Sequence, residues 1–251
     1  MRGMDSSFDT LHRAIDDIPE QREDTPLRES AILGFDTETT GAAVGRDSIV
    51  SASLVLRPRG AGADHHAQTC ASWLINPHRP ISPGASRVNG FTDEFVALNG
   101  QEPEAALDEI GAIIAAAQRR SIPLLAYNAP FDVGMVHADL KRWKLPDVEM
   151  PLVIDPLVID RAVSTRRGRR TLSDTTEYYG IEPDGRFHDA LADTIAAIDL
   201  IPAMSELYPT VARMPLGNLM DWQRQAHERW RRSFNTWLES HGRQPIREGW
   251  L

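Results

Sequence analysis

The chain has 251 residues, 41% of them hydrophobic and 25% charged, which is ordinary for a globular protein with one sizeable domain or two small ones. Its formal net charge of −9 argues against a protein that coats duplex nucleic acid through bulk electrostatics, and its single cysteine excludes an intrachain disulfide and a cysteine-based zinc site. The polar, acidic N-terminus and the shortness of every apolar run predict a cytoplasmic protein with no membrane segment.

The first half of the chain is predicted to be rich in strands. Residues 1–29 are polar, with a weak helical spacing of Leu11, Ile15 and Ile18, and we expect a poorly fixed arm or a short docking helix. Three apolar stretches separated by short gaps are predicted to be strands joined as antiparallel hairpins: residues 31–36, 48–56 and 68–75. Residues 76–90 are rich in Pro, Gly and Ser and are predicted to be loop.

The second half alternates between helices and strands. Helices are predicted at residues 103–120, 131–143, 171–179 and 190–207, with short strands at residues 122–127 and 152–155. This order indicates an α/β fold in which a mixed sheet, with an antiparallel three-strand part and a parallel part, is flanked by helices. We divide the chain into the arm (1–29), a main domain (30–208) and an aromatic-rich helical extension (209–251).

The segment GFDTETTG carries a pair of acids at the end of a predicted buried strand. Asp36 and Glu38 are two residues apart, so their carboxylates point to the same side and repel each other unless a cation lies between them or one is protonated. The residues that follow, Thr-Thr-Gly, suit a tight turn that grips a phosphate or a sugar. The alternative is that both acids are ordinary surface residues.

Two further segments, NAPFD and FHDALADT, place acids at helix starts. Asp132 follows a predicted strand, but an acid there is also favoured by the helix dipole alone. His188 and Asp193 flank the start of the last predicted helix, where a lone histidine can equally be a capping or surface group. Asp189 is a natural helix-start residue, and we treat it as structural.

Together these segments supply four carboxylates and one histidine at strand ends and helix starts. Carboxylate oxygens suit Mg²⁺ or Mn²⁺ equally, and two such ions about 3.5–4 Å apart clamp the attacking and leaving oxygens of a phosphodiester. A histidine can take a proton from metal-bound water near neutral pH.

The three segments, in this order, resemble the three motifs of the DEDDh 3′→5′ exonuclease superfamily, and most of all the proofreading epsilon subunit of bacterial DNA polymerase III and its stand-alone relatives. The stretch INPHRPISPGASRVNGFTDE between the first two motifs is similar to the corresponding segment of epsilon-like exonucleases. The resemblance covers roughly residues 31–207. It implies a ribonuclease H-like fold and two divalent cations, Mg²⁺ or Mn²⁺.

The resemblance also implies a role for each motif residue. Asp36 would bridge both metals, Glu38 and Asp193 would complete the site of the metal that carries the water, Asp132 would act chiefly on the second metal, and His188 would be the general base. Substrate contacts are implied for Thr37, Thr39, Asn89, Asn128 and Phe131. Relatives usually have histidine where this chain has Asn89. Because that histidine lies near the scissile nucleotide and does not bind a metal, the difference affects the expected nucleotide contacts and not the expected chemistry.

Two further features lie beside or beyond the motifs. Residues 161–170 hold five arginines and no acid after position 160, which suits either a phosphate-tracking patch or a solvated loop. In residues 213–251 large apolar side chains follow a helical spacing: Leu219, Trp222, Ala226, Trp230, Phe234 and Trp237. This helix could pack against the main domain, bind a protein partner such as a DNA polymerase, or form a platform for nucleic acid.

We therefore expect an enzyme that removes nucleotides from 3′ ends, with single-stranded or frayed DNA favoured over RNA. Within the enzyme class the alternative is an RNA-trimming exoribonuclease. Outside it, the chain would be a polymerase-associated proofreading or binding subunit, or a nucleic-acid-binding module without activity. The presence of all five catalytic residue types counts against the inactive module.

Overall fold

The computed structural model describes residues 6–58, 68–182 and 189–251. Its centre is a five-stranded sheet in the order β3-β2-β1-β4-β5. The strands are β1 (Ile32–Thr39), β2 (Ile49–Arg57), β3 (Thr69–Leu74), β4 (Leu124–Leu125) and β5 (Val153–Ile154). β1, β2 and β3 pair antiparallel, and β4 and β5 continue from β1 in parallel. The predicted mixed sheet is confirmed.

Ten α-helices surround the sheet in the part of the chain that the structure describes. They are α1 (Ser7–Asp16), α2 (Pro83–Asn89), α3 (Asp93–Asn99), α4 (Pro103–Arg119), α5 (Pro130–Arg142), α6 (Pro156–Val163), α7 (Leu172–Tyr178), α8 (Ala190–Leu207), α9 (Pro209–Ala212) and α10 (Leu216–Ser240). A 3₁₀ turn, Leu27–Glu29, precedes β1. None of the described helices is both long enough and apolar enough to cross a bilayer.

The two faces of the sheet bury different sets of side chains. Leu33 and Phe35 of β1 belong to one apolar cluster, which they share with α1, α4 and α5. Ile32 belongs to a second cluster, which includes Ile198 of α8 and Leu219 of α10. Because successive side chains of a strand point to opposite faces, β1 is held between two helical layers.

The N-terminal arm contains a helix that docks on the main domain. Ser6 caps α1 by accepting a hydrogen bond from the Asp9 backbone N–H, and Leu11 and Ile15 are fully buried against α4 and β3. The sequence left open a poorly fixed arm or a short docking helix, and residues 7–16 form the docking helix. The weak spacing of apolar residues was therefore a genuine amphipathic face.

The prediction that residues 76–90 form only loop is wrong, because they contain α2. Ser82 caps this helix by accepting from the Ala85 backbone N–H at 3.1 Å, Pro83 occupies its first turn, and Gly90 ends it with a φ of 78°. These are the ordinary start and stop signals of a short helix, and the local excess of Pro, Gly and Ser arises from them. The helices α3 and α6 were also missed.

Candidate active site

The carboxylates of Asp36 and Glu38 lie within β1, on the face that packs against α8. Gly34, Asp36 and Glu38 point to this face by strand alternation, and a Cβ at Gly34 would come within 2.8 Å of Thr194 on α8. Asp193, in the first turn of the same helix, precedes Thr194. Ligand oxygens of Asp36, Glu38 and Asp193 all lie within 4.8 Å of one another. The structure thus brings three of the four predicted acids together.

This cluster is electrostatically strained without a cation. Burial, and then the charges of Asp132 and Asp193, raise the pKa of Asp36 well above its ordinary value. Burial, and then the charge of Asp193, raise the pKa of Glu38 from 4.5 to about 7. Since a divalent cation would offset the repulsion among these oxygens, the donor set fits a hard metal ion.

Asp132 reaches the site from the opposite face of the sheet. It lies in the first turn of α5, is only 3% exposed, and accepts hydrogen bonds through Oδ1 from the Thr37 backbone N–H (3.1 Å) and the Thr37 hydroxyl (2.7 Å). Burial raises its pKa to about 7, although the two bonds from Thr37 oppose the shift. Asp132 is not a member of the three-carboxylate cluster, but its charge is felt at Asp36.

The predicted general base, His188, lies outside the described residues. The next residue, Asp189, caps α8 by accepting a hydrogen bond from the Leu191 backbone N–H at 3.0 Å. This is the structural role expected of Asp189. Its charge nevertheless contributes to the raised pKa values of Asp36 and Glu38.

A cavity of about 370 Å³ opens beside Glu38. Of the residues predicted to contact substrate, Thr39, Asn89 and Phe131 line it together with Glu38, and one wall is formed by α2. The Asn89 amide donates to the Thr39 carbonyl oxygen at 3.2 Å, which ties the end of α2 to β1. A larger hollow of about 600 Å³ near Arg28 shares none of these residues, so cavity size alone does not identify the site.

Thr37 and Asn128 take different positions from the three residues that line the cavity. The hydroxyl and the backbone N–H of Thr37 are both engaged with Asp132, and its side chain is buried. Asn128 is exposed and adopts a left-handed backbone conformation, with a φ of 64°, just before α5.

The backbone of β1 is irregular at the site. Its register against β2 shifts between Glu38 and Thr39, where Glu38 is opposite Ser51 and Thr39 is opposite Ile49. Such a bulge re-aims the side chains next to it, and bulges are common beside active sites. No pattern of residue types in GFDTETTG indicates this irregularity.

Most of the chain matches a known protein family. The family model described as "Exonuclease", RNase T, matches residues 33–201, which is more than half of the chain. The chain belongs to this exonuclease family. Exonucleases of the family need divalent metal ions, and the cluster of Asp36, Glu38 and Asp193 could bind one.

Curated relatives of this chain are named as DNA polymerase III proteins. A DNA polymerase III subunit epsilon-like protein of Rhodobacter capsulatus is 31% identical over 190 residues, which cover 72% of this chain and 25% of that protein. A PolC-type DNA polymerase III of Streptococcus pneumoniae is 31% identical over 156 residues, covering 62% of this chain and 10% of that protein. The exonuclease thus spans a quarter or less of the length of these relatives.

Solved structures confirm the fold. E. coli exonuclease I in complex with a dA16 oligonucleotide superposes with a TM-score of 0.60 and 19% sequence identity over 73% of this chain and 42% of that one. The zinc-bound form of an exonuclease I complex with single-stranded DNA gives a TM-score of 0.59 at 20% identity. The predicted resemblance and the ribonuclease H-like architecture are both confirmed.

The arginine-rich loop of the exonuclease is only partly available to a substrate. Asp160, which is fully buried, accepts from Arg166 Nε at 3.1 Å and also pairs with Arg170. The guanidinium of Arg161 lies over the ring of Trp230, 3.6 Å from its centroid. Of the five arginines, only those at positions 167 and 169 have largely exposed side chains. Three of the five side chains therefore have partners within the protein, and a phosphate-tracking role of this segment stays a prediction.

The C-terminal helix packs against the exonuclease domain along its first half. Leu219 and Ala226 of α10 are buried, Trp222 packs against the second apolar cluster, and the helix contacts α6 and β5. Towards its end Trp230, Phe234 and Trp237 stack ring on ring, and Trp237 is 45% exposed.

Proposed function

We propose that this chain is a 3′→5′ exonuclease that hydrolyses the terminal phosphodiester bond of a nucleic acid strand by a two-metal mechanism. The observation that carries the proposal is the set of three converging carboxylates, Asp36, Glu38 and Asp193, beside a cavity whose wall is α2. Three acids this close together, with Asp193 buried and Asp36 partly buried, are unfavourable for stability, so the arrangement points to a bound cation.

Asp36, Glu38 and Asp193 are the residues that would hold the first cation, and Asp132, whose charge reaches Asp36, would contribute to the second. When bound, such ions activate a water molecule and stabilise the charge that develops on the leaving 3′ oxygen. His188 would accept the proton of the attacking water. The water oxygen forms a bond to phosphorus as the bond between phosphorus and the 3′ oxygen breaks, releasing a nucleoside 5′-monophosphate.

The cavity is the proposed site of the terminal nucleoside. Phe131 offers an aromatic ring, and Thr39 and Asn89 offer polar groups, on the side of the cavity next to Glu38. The Asn89 amide is already directed to β1, so its contribution is to hold the wall of the cavity as well as to contact the nucleotide. A histidine at position 89 would place an imidazole ring in the cavity wall where this chain has the amide of Asn89.

Single-stranded DNA is the favoured substrate. The curated relatives are named as DNA polymerase III proteins, and the exonuclease I structures contain DNA oligonucleotides. A site that holds one terminal nucleotide needs a free or frayed 3′ end, and the cavity beside Glu38 is of a size for a single nucleoside. RNA is the alternative substrate, and the 2′-hydroxyl is the group by which such a site would distinguish it from DNA.

The decisive experiment is a time course with a 5′-labelled DNA oligonucleotide and its RNA counterpart, each with Mg²⁺, Mn²⁺ or EDTA. We expect a ladder that shortens from the 3′ end, that requires metal, and that is faster for DNA. Asp36→Ala should abolish the ladder, and His188→Ala should slow it by about 10²–10⁴-fold if this residue is the general base. Cleavage by folded Asp36→Ala protein at the wild-type rate would refute the mechanism.

A further inference from the structure

Asp155 is a buried carboxylate that the proposed chemistry does not use. It follows β5, is 1% exposed, and receives four hydrogen bonds. Its Oδ1 accepts from the backbone N–H groups of Asn128 and Leu157, both at 3.0 Å. Its Oδ2 accepts from the Ala129 backbone N–H at 3.1 Å and from the indole N–H of Trp250 at 3.0 Å.

Two of these bonds hold the turn that leads into α5. This helix has no side-chain cap of its own, because Ala129 occupies the capping position. Asn128 has a left-handed backbone, which asparagine adopts more readily than most residues, and its N–H in this conformation donates to Asp155. Asp155 does not bond the N–H groups of the first helical turn, as a capping side chain would, but it fixes the two residues that immediately precede the helix carrying Asp132.

The remaining contacts of this region come from the C-terminal extension. Gln223 of α10 is fully buried, accepts from the Asp155 backbone N–H at 2.8 Å and donates to the Val153 carbonyl oxygen at 2.8 Å. Beyond α10 the chain runs back along the helix, where Ile246 and Asn235 exchange two hydrogen bonds of 2.8 Å. This return path places Trp250 on Asp155.

We propose that Trp250 is a positioning residue, which sets the location of Asp132 by orienting Asp155 and, through it, the turn at Asn128 and Ala129. The proposal deepens the proposed function, because it assigns the C-terminal extension a part in building the metal site. Removal of the indole N–H would leave the Asp155 carboxylate with one partner fewer and the turn less tightly held.

The test compares Trp250→Phe, which keeps an aromatic ring and loses the N–H donor, with Trp237→Phe on the exposed part of α10. Hydrogen exchange of the Asn128 and Ala129 amides is measured in metal-free protein. We expect about fivefold faster exchange in Trp250→Phe and no change in Trp237→Phe, since these amides open more readily when their acceptor is less constrained. Thermal melting of both variants establishes that they are folded.

Kinetics of oligonucleotide cleavage provide the second readout. In Trp250→Phe we expect a kcat about tenfold lower and a correspondingly higher metal concentration at half-maximal rate, with the KM for the oligonucleotide unchanged. A loss of packing alone would lower the melting temperature without this separation of kcat from KM. Asp155→Asn should reproduce the kinetic change, and adding Trp250→Phe to it should cause little further loss.

The two proposals can fail separately. Unchanged amide exchange together with wild-type kinetics in Trp250→Phe would overturn the positioning role while the exonuclease activity stands. If the wild-type protein cleaves neither oligonucleotide, the proposed function fails, and the exchange rates still decide whether Trp250 holds the turn before α5.

Discussion

Replacing Glu38 by glutamine should stabilise the metal-free protein and weaken its stabilisation by metal. In the folded protein the pKa of Glu38 is about 7, against an ordinary value of 4.5, chiefly because the side chain is buried and then because Asp193 is close. Glutamine has the shape of the protonated acid and carries no charge. The substitution therefore removes the cost of ionising a buried carboxyl group next to other carboxylates.

The size and the pH dependence of the effect follow from the same two pKa values. A difference of about 2.5 pKa units corresponds to about 3 kcal/mol of unfolding free energy. Because the folded-state pKa is the higher one, ionisation of Glu38 destabilises the protein fully above pH 7 and not at all below pH 4.5. We expect Glu38→Gln to gain about 3 kcal/mol at pH 8 in EDTA and very little at pH 4.5.

Urea unfolding in EDTA at the two pH values measures this gain, and Glu20→Gln, at an exposed position, serves as the matched control. Added Mg²⁺ or Mn²⁺ should stabilise the wild-type protein and the control by mass action, but Glu38→Gln much less. If Glu38→Gln were neutral or destabilising at pH 8 in EDTA, the carboxylates would not repel one another and the argument for a cation site would lose its physical basis.

Two other substitutions test how the layers around the sheet are held. Gly34→Ala should lower the free energy of unfolding in urea by about 1–3 kcal/mol and weaken metal binding. The added Cβ would lie 2.5 Å from Ile198 and push α8, with Asp193, away from β1. Unchanged stability would mean that α8 shifts at little energetic cost. Gln223→Ala should lower the free energy of unfolding by about 2–4 kcal/mol, because it leaves the Val153 carbonyl oxygen and the Asp155 backbone N–H without their partner. Calorimetry that shows no loss of stability would contradict the docking of α10 on this edge of the sheet.

The elements with a strong periodic pattern could be predicted from the sequence. The three N-terminal strands alternate or are wholly apolar, and the last helix of the main domain was placed at residues 190–207, where α8 lies. β4 and β5 are two residues each, shorter than the predicted strands, because only a short part of each apolar segment pairs in the sheet. The local pattern of apolar residues indicates which residues are buried, but it does not show where the hydrogen bonding between strands ends.

The candidate site was predictable in its members and not in its arrangement. The spacing of Asp36 and Glu38 correctly placed both carboxylates on one side of β1. The contact between Thr37 and Asp132 could not be foreseen, because it joins residues 95 positions apart. The link from Trp250 to Asp155 also spans 95 residues, and Trp250 does not belong to the helically spaced aromatic residues of α10.

The position of the acids between two helical layers has a consequence for how the site can be disturbed. Asp36 and Glu38 belong to the central strand, Asp193 comes from α8 on one face, and Asp132 comes from α5 on the other. Neither layer alone completes the set, so a change in the packing of α8 and a change in the turn before α5 should impair metal binding by separate routes. Gly34→Ala acts on the first layer and Trp250→Phe on the second. Their effects on metal binding should therefore be close to additive, whereas two changes within one layer should not be.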